Sequence, residues 1–403
     1  MTRARPLSRI LCATIGLCAP ARAAAQQPPA TAAPPASVSA LTETAQGPYA
    51  AELRRIVDSV RTAFAMPAMG AAIVAPDGRI NVAVAGTRRA SGGAAVTVDD
   101  RWHIGSNLKA VVGMLAGIGV DQGKIAWTST VEEVFPELAA RVRPEYRGLT
   151  LKEMLAHSAG FPRDPLGLPL SGTPREKRDS VVRWAVTQPP AAARGSFFYS
   201  NTDYIVAGAM LERAFGVPFE QALTERIFTP LGITTAGFGP QAAEGSTTQP
   251  VAHRVRPDGT WQEVEALDNP DYYASAGGVH MPLEAWALIV REVLRADAGR
   301  STLLSAATGR VLTTPATRLN ATDGYALGWI TTSRTWGNGR VLTHNGSNTG
   351  NFSVAWLAPE RGFAILVTTN AFDTVAPTGR AFRSTDALAA RLIILLTAPP
   401  TAP

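Results

Sequence analysis

The spacing of apolar residues changes along the chain, and each change marks an element. Leu53, Ile56, Val57, Val60 and Phe64 recur at helical intervals between Tyr49 and Phe64, which predicts an amphipathic helix. Gly70 to Ala75 and Ile80 to Val84 are two β-rich runs joined through Pro76-Asp77-Gly78, the pattern of a hairpin. A long helical stretch follows. The segment opening near Ser106 carries Leu108, Val111, Val112, Met114, Leu115, Ile118 and Val120 on nearly every face, so it predicts a buried helix, ended by Gln122-Gly123. Thr150-Leu151-Lys152-Glu153 and Thr173-Pro174-Arg175-Glu176 have the form of capping boxes that open helices. Further helices are expected from about Asp203 to Phe215, closed by Gly216, and from about Pro218 to Phe228.

Strand character returns near the end. Gly339 to Thr343 leads into His344, and Phe352 to Leu357 and Phe363 to Thr368 flank a turn at Pro359-Glu360-Arg361-Gly362. Asp386 to Leu396 reads as a closing helix. Strands at both ends of the chain and helices between them predict an α/β (α+β) fold. Its antiparallel sheet is flanked by N- and C-terminal helices, with an all-helical lobe inserted. The expected division is residues 1–25 as a leader, 26–48 as a tether and 49–400 as one domain. Within that domain the α/β lobe takes about 49–100 and 266–400, and the helical lobe about 101–265.

Composition supports a packed core: 46% of the 403 residues are hydrophobic and 17% charged. The formal net charge of +6 at first suggests a polyanionic partner. Four of the basic residues, Arg3, Arg5, Arg9 and Arg22, lie in the first 25 positions without an acidic neighbour, and without them basic and acidic residues nearly balance. No Lys/Arg cluster remains to track a phosphate backbone, so nucleic acid is excluded as the expected partner. The same N-terminal residues resemble a secretory signal: a basic start, the apolar stretch Ile10 to Ala19, and small-residue sites at Ala21-Arg22-Ala23 and Ala23-Ala24-Ala25. That stretch is about ten residues, too short for a permanent span. Both cysteines, Cys12 and Cys18, fall inside it, so a mature chain cut there has no thiol, and a periplasmic or secreted location is expected. Gln26 to Gly47, rich in Ala, Pro, Thr and Ser, reads as the tether. No long apolar window follows, so no span is expected in the mature chain.

The chemistry begins at Ser106-Asn107-Leu108-Lys109. A serine and a lysine three residues apart share a helix face, which puts an amine where it can take the hydroxyl proton. Tyr199-Ser200-Asn201 precedes the helix at Asp203. A tyrosine beside a lysine can share its proton and relay it to a leaving group. His344-Asn345-Gly346 ends a strand and is followed by Ser347. Glycine there lets a substrate lie against the backbone, and the N–H groups of Ser347 and Ser106 could pair as an oxyanion hole.

Together these motifs resemble the serine β-lactamase and penicillin-binding-protein superfamily. The resemblance is to the branch holding class C β-lactamases, D-alanyl-D-alanine carboxypeptidases and related esterases. Supporting stretches are Leu155 to Phe161, Ile227 to Gly232, Ala276-Gly277-Gly278, Tyr325 to Trp329, and Asn370 after the last strand; the resemblance runs from about Tyr49 to Leu396. It implies a β-lactamase/transpeptidase-like fold and no cofactor. Ser106 would be the acylated nucleophile and Lys109 its base. Tyr199 would assist deprotonation and activate the hydrolytic water, and Asn201 would bind Lys109 and the substrate amide. The chain departs from the lactamase pattern at His344, where lysine usually meets the substrate carboxylate. An ordinary imidazole titrates near neutrality, so its charge is open on sequence alone.

The function expected is therefore a secreted serine hydrolase of ester or D-amino-acid amide substrates. A class C-like β-lactamase is the alternative, and a catalytically silent cell-wall-binding protein on the same fold is the non-enzyme one. Its partner is a small ester, β-lactam or D-amino-acid peptide; the oligomeric state is not encoded in any pattern. Ala156-His157-Ser158-Ala159-Gly160 lacks the first glycine of an α/β-hydrolase elbow, and the five histidines show no His-x-x-x-His pairing, so no metal site is expected.

Overall fold

The computed structural model describes residues 49–373 and 378–398. The leader and tether expected at residues 1–25 and 26–48 lie outside the described residues.

The main sheet has eight strands: β1 (Ala68–Val74), β2 (Ile80–Gly86), β3 (Thr317–Arg318), β4 (Gly324–Ala326), β5 (Trp329–Arg334), β6 (Gly339–Ser347), β7 (Phe352–Ala358) and β8 (Phe363–Thr369). Their spatial order is β2-β1-β8-β7-β6-β5-β4-β3, antiparallel throughout. The N-terminal hairpin thus joins the C-terminal strands through β1 and β8, with Ala71 opposite Val367 and Ile73 opposite Ile365. Alternation divides the residues between two cores. Met69, Ala71, Ile73, Phe363, Ile365 and Val367 face one way; Ala68, Ala72, Val74, Ala364 and Leu366 face the other.

Six longer helices complete the frame: α1 (Ala50–Ala63), α2 (Leu108–Asp121), α3 (Pro174–Ala185), α4 (Asn201–Phe215), α5 (Leu283–Asp297) and α6 (Arg380–Thr397). The terminal helices α1 and α6 cover the first face; α1 does so through Leu53, Ile56, Val57 and Val60, the stripe read from the sequence. Helix α5 covers the other face, against β1, β2 and β8. Helix α2 is buried from Leu108 to Gly119 and packs on α4, which is buried from Asn201 to Glu212.

Both expected capping boxes are formed, at Thr150/Glu153 and Thr173/Glu176, and a third at Thr130/Glu133 was not anticipated. Helix α4 ends where expected, with Gly216 left-handed. The helix expected over 218–228 is α-helical only at Phe219–Leu223 and continues as a π-helical turn over Thr224–Phe228. Helix α6 starts at Arg380, six residues before Asp386. The region between the sheet halves is also not wholly helical. Ala252–Val255 and Trp261–Val264 pair with each other and, through the former, with Ala371–Phe372. Trp102–His103 and Gly237–Phe238 flank Val279–Met281.

Candidate active site

The site lies where the start of α2 meets β6. Ser106 occupies a 3-10 turn, Gly105–Asn107, that runs into α2. The turn is tied down from β7: Ser353 Oγ donates to Ile104 O at 2.9 Å, and Asn107 Nδ2 donates to Ser353 Oγ at 2.9 Å. On its other side the turn abuts the backbone of β6. A Cβ at Gly346 would overlap Ile104 O and stand 2.7 Å from Ser106 N; one at Gly105 would overlap Ser347 N. Glycine at both positions lets the amides of Ser106 and Ser347 sit side by side. Gly105 also needs its left-handed φ of 52°.

Lys109 follows one turn later and is fully buried. Its Nζ lies 3.0 Å from Ser106 Oγ, 2.8 Å from Asn201 Oδ1 and 2.6 Å from Ala276 O. In a neutral amine two N–H bonds serve Asn201 and Ala276, and the lone pair is left for the Ser106 hydroxyl. The amine sits 5.0 Å from the Tyr199 ring centroid and 5.4 Å from that of Tyr204. Asn201 opens α4, and its Nδ2 donates to Asp164 Oδ1 at 2.7 Å. The structure therefore gathers Ser106, Lys109, Tyr199, Asn201, Gly346 and Ser347 around one point.

His344 lies in the same strand but plays a different part from the cation considered above. Its side chain is buried. Nδ1–H donates to Asn345 O at 2.6 Å, so Nε2 accepts from the Tyr325 hydroxyl at 3.2 Å. Burial, reinforced by the positive charge available to Lys109, pushes the imidazole down to about 3. It is neutral at working pH, both nitrogens are occupied, and no imidazolium is presented to a substrate anion.

Several residues at the site were not assigned by motif. His157, at φ 54°, stacks among Tyr199, Tyr204 and Tyr325, with ring centroids 4.4 to 5.0 Å away. Its Nδ1 is 3.1 Å from Asp203 Oδ2. Both groups are buried; desolvation lowers the imidazole and raises the carboxyl, so the pair is held without net charge. The Arg163 guanidinium lies over the Tyr199 ring at 5.3 Å, and Arg163 O accepts from Asn201 N at 2.8 Å. The runs containing His157 and Asp203 were visible beside the motifs; Asp164 and Arg163 had no signal beyond following Phe161-Pro162. Among the described residues no three His, Cys, Asp or Glu side chains converge as a metal site. No helix among them is long and apolar enough to cross a membrane.

Residues 53–390 match the model of the beta-lactamase family. The chain belongs to that family. An unguisins hydrolase from Aspergillus campestris is 24% identical over 289 residues, 68% of this chain and 53% of its own length. A beta-lactamase from Escherichia coli K12 is 30% identical over 151 residues, 37% of this chain and 38% of its own. The chain thus spans about half or less of these relatives. The D-amino acid amidase from Ochrobactrum anthropi SV3, solved with L-phenylalanine amide, superposes with a TM-score of 0.68 at 20% identity, over 85% of this chain and 97% of that one. That likeness shows the beta-lactamase/transpeptidase-like fold.

Proposed function

We propose that this member of the beta-lactamase family is a serine hydrolase that forms an acyl-enzyme at Ser106 with ester or amide substrates. The observation that carries the reading is the buried Lys109 amine, 3.0 Å from Ser106 Oγ and held by Asn201 and Ala276. Ser106 Oγ attacks the carbonyl carbon and its proton passes to Lys109 Nζ. Negative charge on the carbonyl oxygen is met by the amides of Ser106 and Ser347. The proton then reaches the leaving group through Tyr199, which expels alcohol or amine. Water attacks the ester on Ser106, releases the acid and restores the hydroxyl. Asn201 holds Lys109 in place and offers its amide to the substrate.

The neutral, occupied His344 supports substrates without an obligatory carboxylate, such as simple esters and D-amino-acid amides, over β-lactams. The D-amino acid amidase with the same fold points the same way. A turnover panel tests this. p-Nitrophenyl butyrate or a D-amino-acid amide should be hydrolysed faster than nitrocefin, and Ser106→Ala should lose both turnover and covalent labelling by a fluorophosphonate. Rapid nitrocefin hydrolysis with no ester or amide turnover would favour the β-lactamase reading, and unchanged labelling of Ser106→Ala would refute the nucleophile. Export is part of the proposal, supported by the arginines and apolar stretch of the first 25 residues. N-terminal sequencing of secreted material should find a start near Ala24 or Gln26.

A further inference from the structure

Two residues before Gly105, and bonded to its N–H, lies a buried imidazole that the proposed chemistry does not use. His103 belongs to the short strand Trp102–His103 and is fully buried. Its backbone is fixed: His103 N donates to Gln241 Oε1 at 2.7 Å, and Ile104 N to Val279 O at 3.1 Å. Its Nδ1 accepts from the backbone N–H of Gly105 at 3.1 Å. That bond requires Nδ1 to be unprotonated, which puts the ring proton of a neutral imidazole on Nε2. Nε2 in turn lies 2.9 Å from Asp268 Oδ1, close enough for charge–dipole attraction though not aligned as a hydrogen bond. The carboxylate therefore favours the tautomer that the Gly105 bond needs.

Gly105 is the residue whose conformation decides where the Ser106 amide points. It is left-handed, and it is pressed between Ser347 N on one side and Gly277 on the other, where a Cβ on Gly277 would be 3.1 Å from Gly105 C and 3.3 Å from Ser106 N. The loop that carries Asp268 reaches this second side too. Asn269 N donates to Asp268 Oδ1 at 2.7 Å and Asn269 Nδ2 to Gly277 O at 3.3 Å, while the neighbouring Ala276 O takes Lys109 Nζ.

We propose that His103, seated by Asp268, is a positioning residue for the oxyanion hole: it holds the Gly105 N–H, so that the amide of Ser106 stays aligned with that of Ser347. Donors of this kind act only if they are aimed before the charge develops, so a small rotation of the turn is felt at the transition state far more than in substrate binding. The inference rests on Ser106 being the nucleophile. The two fail differently: a wild-type enzyme with neither turnover nor a boronate adduct refutes the nucleophile, whereas the comparison below refutes the positioning role alone.

The test compares wild type with His103→Leu, which fills similar space without an acceptor, and His103→Asn, whose Oδ1 takes the place of Nδ1. Hydrolysis of p-nitrophenyl butyrate and the affinity for phenylboronic acid, which becomes tetrahedral on Ser106, are both measured. Losing one oxyanion donor costs about 100- to 1,000-fold, so misaligning one in His103→Leu should cost roughly 10- to 100-fold in kcat and in boronate affinity, with KM changed less than about threefold. His103→Asn should recover most of both. Wild-type boronate affinity in His103→Leu, or equal losses in the Leu and Asn variants, would overturn the proposal. If His103→Leu does not fold, Asp268→Ala takes its place: a lower kcat and weaker boronate binding at constant KM are expected, and unchanged values overturn it.

Discussion

At the residue scale the site depends on one amine and its neighbours. Lys109 has no side-chain freedom to spare, since burial and the bonds to Asn201 and Ala276 fix its Nζ opposite Ser106 Oγ. General-base transfer is worth about 100- to 10,000-fold, so Lys109→Ala should lose at least about two orders of magnitude in turnover. Stopped-flow acylation rates check this, and near wild-type acylation would reduce Lys109 to a packing residue. His344 makes the opposite kind of prediction. Because its folded-state value is down near 3, the imidazole stays uncharged from about pH 5.5 to 8.5. The ratio of kcat/KM for an anionic and a neutral ester should therefore be flat across that window. A ratio that falls as pH rises through 6 to 7 would show a protonated His344 meeting the anion. The sequence left this open because the difference between an exposed and a buried histidine is made by Tyr325, 19 residues away, and by strand depth, neither of which a motif contains.

At the element scale the decisive contact is the turn before α2 against β6. A methyl at Gly346 would strike Ile104 O and come within 3.0 Å of the amides of Ser106 and Asn107, all backbone atoms that cannot swing aside. Gly346→Ala should thus abolish acylation and destabilise the fold by about 1–3 kcal/mol, the usual cost of overpacking. Gly123→Ala, at φ 65° with nothing within 4 Å, should cost roughly 1–2 kcal/mol from backbone strain alone and leave acylation intact. Thermal melts and fluorophosphonate labelling separate the two. The elements framing this contact were legible because each carries a local signature: the stripe of α1, the Asp77-Gly78 hairpin, the all-apolar α2, the capping boxes and Gly216. The short strands at Trp102–His103, Gly237–Phe238 and Val279–Met281 are two or three residues long, too short to display a period, and their partners are far away in sequence. β6 does end as read, at His344-Asn345-Gly346, with Ser347 as its last residue; β7 supplies Ala355, Val354 and Phe352 opposite His344, Asn345 and Ser347.

At the scale of the whole molecule, burial of histidine sets how the protein responds to acid. His344 and His280 are both buried, and desolvation is the first cause that brings each down to about 3; the positive charge available to Lys109 adds to it for His344. His253 is lowered in the same direction, again by burial. In the unfolded chain each imidazole returns to an ordinary value near 6.5. Between about pH 6.5 and 4 the unfolded state therefore binds protons that the folded state refuses, so these rings make stability fall as pH falls through this window. His157 adds no net slope there. Its neutral pair with Asp203 keeps one proton, and so do an unfolded histidine and aspartate between about pH 4 and 6.5. His344 and His280 should each contribute on the order of 1 kcal/mol per pH unit. Chemical denaturation from pH 6.5 to 4.5 should show a folding free energy that declines ever more steeply as the unfolded imidazoles take up protons. His280→Asn removes one of the refused protons and should flatten that decline by about a third to a half. A profile that stays level to pH 4.5 would mean that these rings accept protons in the folded state, and with that the neutral His344 on which the substrate reading leans would be lost.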